Sequence, residues 1–216
     1  MAAITLPALG EHIIFCGTTG SGKSYLAQEM LAHYERVFVF DTQDSLAIPG
    51  AVKIIDPVHI TRKLRAFAKI RYVPKLEFRT KGDFNYILKV LMTNPHAHKR
   101  IIYIDEIYHL GFGPSFPDWL SRGISTARHK GISVWTASQR PANIPLAVMT
   151  EARRIYLFYL SYAEDVKKIA KFTRDEKNFL EEVENLKYDY SMIELDRVTG
   201  RWRKLQPLQK NEGGNN

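Results

Sequence analysis

The 216-residue sequence has a single cysteine, Cys16, which excludes an intramolecular disulfide and any cysteine-rich metal cluster. Its place at the end of the apolar run "IIFC" predicts a small buried hydrophobe rather than a reactive thiol. Long hydrophobic stretches are also lacking. The longest apolar candidate, "IYLFYLSY", is strand-sized against the roughly 20 residues of a membrane span. The segment "MAAITLPALGEH" has neither the basic start nor the long apolar core of a signal peptide, so the sequence predicts a soluble protein. Acidic residues are in the minority, 23 against 31 Lys and Arg. The resulting formal charge of +8 favours anionic partners such as nucleic acid or anionic lipid. No repeat or linker divides the chain, so we expect one domain over residues 1–207. A flexible tail is expected over 208–216, which ends in the polar "QKNEGGNN".

What the sequence does have is short runs of Ile, Val, Phe and Tyr alternating with segments of helical period. Strands are expected near 12–16, 37–41, 101–105, 132–138, 153–159, 189–195 and 201–205. Helices are expected at 23–34, 58–69, 83–93, 117–129 and 174–186. Several strands are apolar without alternation, as in strands covered on both faces. The pattern predicts an α/β fold with a mostly parallel central sheet flanked by helices. The last two strands, around the turn "RVTGR", form a C-terminal β-hairpin.

Between the first strand and the first helix, Gly17 to Ser24 read "GTTGSGKS", a full match to G-x-x-x-x-G-K-[ST]. Glycines at 17, 20 and 22 free the backbone, so that the N–H groups of Gly17, Thr18, Thr19, Gly20, Ser21, Gly22, Lys23, Ser24 and Tyr25 can converge on a phosphate chain. The helix that starts here adds its positive dipole end. Lys23 would bridge the terminal phosphates of ATP, and the Ser24 hydroxyl would ligate Mg²⁺. A second apolar strand, "RIIYIDEIY", ends in Asp105 and Glu106. Strand ends of this kind assemble ligand sites in open sheets. Asp105 suits the metal and Glu106 suits a general base for water, which favours hydrolysis over phosphoryl transfer to a metabolite. A third strand, "GISVWTASQRP", ends near Gln139, whose amide can bond both the γ-phosphate and the attacking water. Upstream, Arg122 and Arg128 lie near the end of a helix, and Arg128 is favoured as an arginine that reaches a neighbouring subunit's phosphate.

In this order, "GTTGSGKS", "IIYIDE" and "TARHKGISVWTASQRP" resemble the FtsK/HerA superfamily of ring-forming P-loop ATPases over roughly residues 11–160. Within it the chain is most similar to the genome-packaging ATPases of tailless, membrane-containing icosahedral viruses. The resemblance implies a RecA-like (ASCE) P-loop NTPase fold and ATP hydrolysis coupled to translocation of double-stranded DNA. It implies Lys23 and Ser24 on nucleotide and magnesium, Asp105 and Glu106 as the Walker B pair, Gln139 as sensor, and Arg128 in the region of the trans-acting arginine. It further implies a ring, expected as a hexamer, capsid-vertex or virion membrane proteins as partners, and a place in the virion and host cytoplasm. Asp41, at the end of "RVFVFD", matches the family's modified second strand only loosely and serves equally well as a cap.

DNA contacts are expected from the basic stretch between Arg62 and Lys81, chiefly Arg62, Arg65 and Lys69, and from Arg140 after the sensor. The loop "HLGFGPSFP", His109 to Pro117, is a further candidate. Three other readings stay open at this level: an assembly or export motor of filamentous phage, a small-molecule kinase, and a nucleotide-dependent scaffold without turnover.

Overall fold

The computed structural model describes residues 4–111 and 115–206. The expected tail at 208–216 and the centre of the 109–117 loop, residues 112–114, lie outside these. The chain alternates strand and helix through most of its length. In order these are β1 (His12–Cys16), α1 (Lys23–Ala32), β2 (Val37–Phe40), β3 (Val52–Ile54), α2 (Ile60–Ala66), β4 (Lys69–Tyr72), α3 (Lys81–Thr93) and β5 (Ile101–Ile104). Then come α4 (Asp118–Ala127), β6 (Ser133–Ser138), α5 (Leu146–Glu151), β7 (Ala152–Leu157), α6 (Ala163–Ala170), α7 (Glu176–Glu184), β8 (Met192–Asp196) and β9 (Arg201–Leu205).

The strands form one nine-stranded sheet in the order β3-β4-β2-β5-β6-β1-β7-β8-β9. All neighbours pair in parallel except β7–β8 and β8–β9, which are antiparallel, and β8 with β9 makes the C-terminal hairpin. Period-two alternation explains why β1 is apolar throughout. Ile13 and Phe15 face one core with Leu26, Met30, Tyr103 and Trp135, whereas Ile14 and Cys16 face the other with Ile104, Ile124 and Ile155. The first core is covered by α1, and the second by the layer from α2 to α7. Phe15 meets the rings of Tyr103, Trp135 and Tyr156 at 5.5–6.2 Å, contacts worth about 1 kcal/mol each beyond their burial. Cys16 is fully buried and burial pushes its thiol up, as expected of a hydrophobe.

Parallel pairing brings the C-terminal ends of β1, β5 and β6 side by side at one edge of the sheet.

The structure corrects several expectations. The helix expected over 58–69 ends at Ala66, and Lys69–Tyr72 forms β4 instead, with Ile70 and Tyr72 buried. The dense positive charge of "KIRY" hid its two-residue alternation. The strand β3 has only three residues, too few for a periodic signal. Helices α5 and α6 are additions to the sequence expectation, since six and eight residues are too few for a clear helical period. The final strand pair starts at Met192 rather than Asp189.

His12 ties β1 to its surroundings: Nδ1 accepts from the Val134 N–H at 2.9 Å and Nε2 lies 3.0 Å from the Ile124 carbonyl. Those partners fix the neutral ring with its proton on Nε2. Burial, with a lesser push from Arg128, lowers the His12 pKa to about 4. The unfolded chain therefore binds a proton between roughly pH 6.5 and 4 that the folded chain refuses, and stability falls as pH falls through that window. We expect a loss of about 2 kcal/mol between pH 7 and pH 5 from this residue. Urea denaturation at the two pH values checks it, and His12→Gln, which cannot titrate, should flatten that part of the slope.

Candidate nucleotide-hydrolysing site

The loop from Gly17 to Gly22 leaves β1 at the C-terminal edge and turns directly into α1. It is tethered from outside. The Gly17 N–H donates to the Ser138 carbonyl at 3.2 Å, and the Thr18 N–H to the Tyr159 carbonyl at 2.9 Å. Gly22 caps α1 at φ 109, a conformation that side chains oppose, and a Cβ there would press on Tyr190 and Phe158. At Gly20 (φ +74) a Cβ would collide with the hydroxyl of Tyr188, which donates to the Thr19 carbonyl at 2.7 Å. The first turn of α1 contains no acidic residue of its own, so its positive end is open to anions brought from elsewhere in the fold. Tyr25 is half-buried in that turn.

Lys23 is buried, and its ammonium donates to the Thr18 carbonyl at 2.8 Å, folded back over the loop. Burial lowers its pKa, opposed by the charges of Glu106, Cys16 and Asp105. The Ser24 hydroxyl donates to Asp105 Oδ1 at 2.8 Å. A hydroxyl and a carboxylate are hard oxygen donors of the kind magnesium prefers. Among the described residues no cluster of three or more His, Cys, Asp or Glu could hold a metal.

Glu106 follows at once, but its backbone is left-handed, φ 64 and ψ 85, so the chain turns sharply after Asp105. This turn sends its carboxylate towards β6. Oε2 accepts from the Gln139 N–H at 3.1 Å, and the Ser138 hydroxyl is 3.4 Å from Oε1. Gln139 in turn accepts from the Thr19 hydroxyl at 2.8 Å through Oε1. The residues read from three separate motifs thus meet at one edge: Thr19, Lys23 and Ser24 from the loop, Asp105 and Glu106 after β5, and Gln139 after β6.

Two clefts open here, and Gln139 and Arg140 line both. One, of about 580 Å³, is bordered also by Thr18, Thr19, Tyr159 and Tyr188. The other, of about 330 Å³, is bordered by Glu106, Tyr108, His109 and Asn143. Arg140 pairs with the fully buried Asp165 at 2.8 Å, and its guanidinium lies 4.1 Å from the Tyr162 ring centre. Asp165 also accepts from the Ala142 N–H, while Lys168 donates to the carbonyls of Ala142 and Ile144. The loop after Gln139 is therefore clamped to α6.

Other residues singled out from the sequence lie elsewhere. Arg128 stands before β6 and therefore at the opposite, N-terminal edge of the sheet, with its side chain 56% exposed. Arg62 and Arg65 are exposed on α2, and Lys69 begins β4 at that same far edge. Arg71, within the basic stretch, is engaged by Asp41 at 2.8 Å and Asp44 at 2.9 Å. Asp41 itself accepts from the N–H groups of Ser45 and Leu46, so it caps the turn after β2. Sequence reasoning missed Tyr103, Asp165 and Tyr188. The position of Tyr103, two before Asp105 on one strand face, could have revealed it; Asp165 and Tyr188 arrive from distant sequence with no local signal.

No family model matches the sequence, and no curated protein matches it. Solved structures do. The genome packaging NTPase B204 of Sulfolobus turreted icosahedral virus 2, in complex with AMPPCP, superposes with a TM-score of 0.75 at 16% identity. That match covers 93% of this chain and 98% of the other. B204, the DNA-packaging ATPase of Sulfolobus turreted icosahedral virus, gives 0.72 at 20% identity over 94% and 100%. VirB4 of Thermoanaerobacter pseudethanolicus gives 0.67 at 9% identity over 93% and 90%. At such identities the likeness shows the fold. By fold the chain has the mostly parallel sheet, flanking helices and C-terminal hairpin of a P-loop NTPase, and it is similar along nearly its whole length to the two B204 packaging NTPases.

Proposed function

We propose that the protein hydrolyses ATP and uses the cycle to drive double-stranded viral DNA into a capsid. The observation that carries this reading is the bond from Gln139 N–H to Glu106, which couples a carboxylate beside the phosphate loop to the strand end that also touches Thr19. Lys23 and the loop N–H groups hold the phosphates. The Glu106 carboxylate takes the proton of the attacking water, and the Gln139 amide aligns that water against the γ-phosphate. A divalent cation fits at Ser24 and Asp105, where it would neutralise phosphate charge. Loss of the γ-phosphate is then felt first at Gln139. The following loop, clamped by Asp165 and Lys168, passes the displacement to α6.

Double-stranded DNA is the proposed cargo because the chain carries net positive charge and Arg62 and Arg65 are free to meet phosphates without reading sequence. The working form we propose is a ring, with a hexamer expected, docked on a capsid vertex or membrane protein. Among the described residues no helix is long and apolar enough to cross a membrane. The test is phosphate release with and without duplex DNA at moderate salt. Turnover should rise with DNA, fall off steeply with added salt, and vanish in Lys23→Ala. Turnover indifferent to DNA would remove the packaging reading and leave an NTPase.

A further inference from the structure

We infer that Tyr103 is a positioning residue for the metal-binding carboxylate, acting through Asp105. The inference rests on the nucleotide-hydrolysing reading of the site, but that reading gives this residue no role.

Tyr103 lies in β5, two residues before Asp105, so the two side chains share one face of the strand. That face is covered by α1, whose first turn carries Ser24. The ring is fully buried against Phe15. A phenol buried so deeply needs a partner, and the Tyr103 hydroxyl donates to Asp105 Oδ1 at 2.8 Å. The same oxygen accepts from Ser24 at 2.8 Å. Two donors, one rigid because its ring is locked in the core and one on the helix start, thus converge on a single oxygen. Rotation of the carboxylate is blocked, and the second oxygen remains for a metal-bound water. Without the phenol, only the Ser24 hydroxyl would hold Asp105, and that hydroxyl must also turn its own oxygen to the cation. An apolar residue at position 103 would fill the core equally well, so packing alone does not call for the hydroxyl.

The experiment compares the wild type with Tyr103→Phe by titrating magnesium against binding of a fluorescent, non-hydrolysable ATP analogue, and repeats the binding in EDTA. We expect the magnesium half-saturation to rise about tenfold in Tyr103→Phe, with metal-free nucleotide affinity unchanged. Tyr156→Phe is the control, because it removes another buried phenol, bonded to Glu194 at 3.1 Å and remote from the carboxylate pair. It should leave the magnesium curve in place. In an Asp105→Asn background, Tyr103→Phe should add no further change. If Tyr103→Phe lowers the melting temperature, the titrations are read below the melting point of every variant. A half-saturation within twofold of the wild type, or an equal loss of affinity in EDTA, overturns the inference. A wild type that shows no magnesium-dependent binding overturns the hydrolytic reading and this inference with it.

Discussion

Replacing Glu106 by Gln should leave ATP binding intact and lower phosphate release by about two to four decades, the range set by loss of a general base. The amide preserves shape and can still meet the Gln139 N–H through its oxygen, so the left-handed turn at position 106 has no reason to relax. What it cannot do is take a proton from water. The effect should therefore fall on kcat alone, with nucleotide affinity within a factor of a few of the wild type. Lys23→Ala provides the contrast, since it removes a charge that grips the ground-state phosphates and should weaken binding itself. Rapid-quench turnover together with analogue binding separates the two. Turnover of Glu106→Gln within tenfold of the wild type would mean that the proton of the attacking water goes elsewhere, and Glu106 would lose its role as general base.

How far these roles were legible in the sequence follows from where each residue gets its position. The phosphate loop was legible because its requirement is local: backbone N–H groups must converge within eight residues, and only glycines at 20 and 22 permit the turns observed. Strands β1, β2, β5 and β6 were legible to within a residue at either end because burial on both faces demands uninterrupted apolar runs. The edge strand β3 and its neighbour β4 were not, since each has only part of its residues buried and the rest include charged residues. Site features set by tertiary contact were equally hidden. Asp165 comes from α6 to the loop after β6, and Tyr188 from the turn before β8 to the phosphate loop, each across a long stretch of intervening sequence. Arg140 illustrates the limit. Its sequence neighbours mark a basic residue after the sensor, and its pairing with the buried Asp165 emerges only in the fold.

Arg128→Ala should lower turnover about a thousandfold while nucleotide affinity stays the same, which is the loss associated with an arginine supplied by a neighbouring subunit. Within one chain the residue cannot serve the site. It precedes β6, whose six residues span about 20 Å, and the phosphate loop lies at the other end of that strand. Its contact with Glu151, at 4.0 Å and largely exposed, is a surface ion pair too weak to explain such a loss through stability. In a closed ring built from one repeated heterologous interface, however, the far edge of each subunit can face the site of the next. Mixing distinguishes this from a defect in folding. Arg128→Ala subunits retain Lys23, and Lys23→Ala subunits retain Arg128, so wherever the second follows the first a complete site forms from two inactive proteins. We expect activity to reappear on mixing, at most in proportion to the fraction of such neighbours. No recovery, with both variants folded and still assembled, would remove Arg128 from the reaction and turn attention to Arg122 on the exposed face of α4.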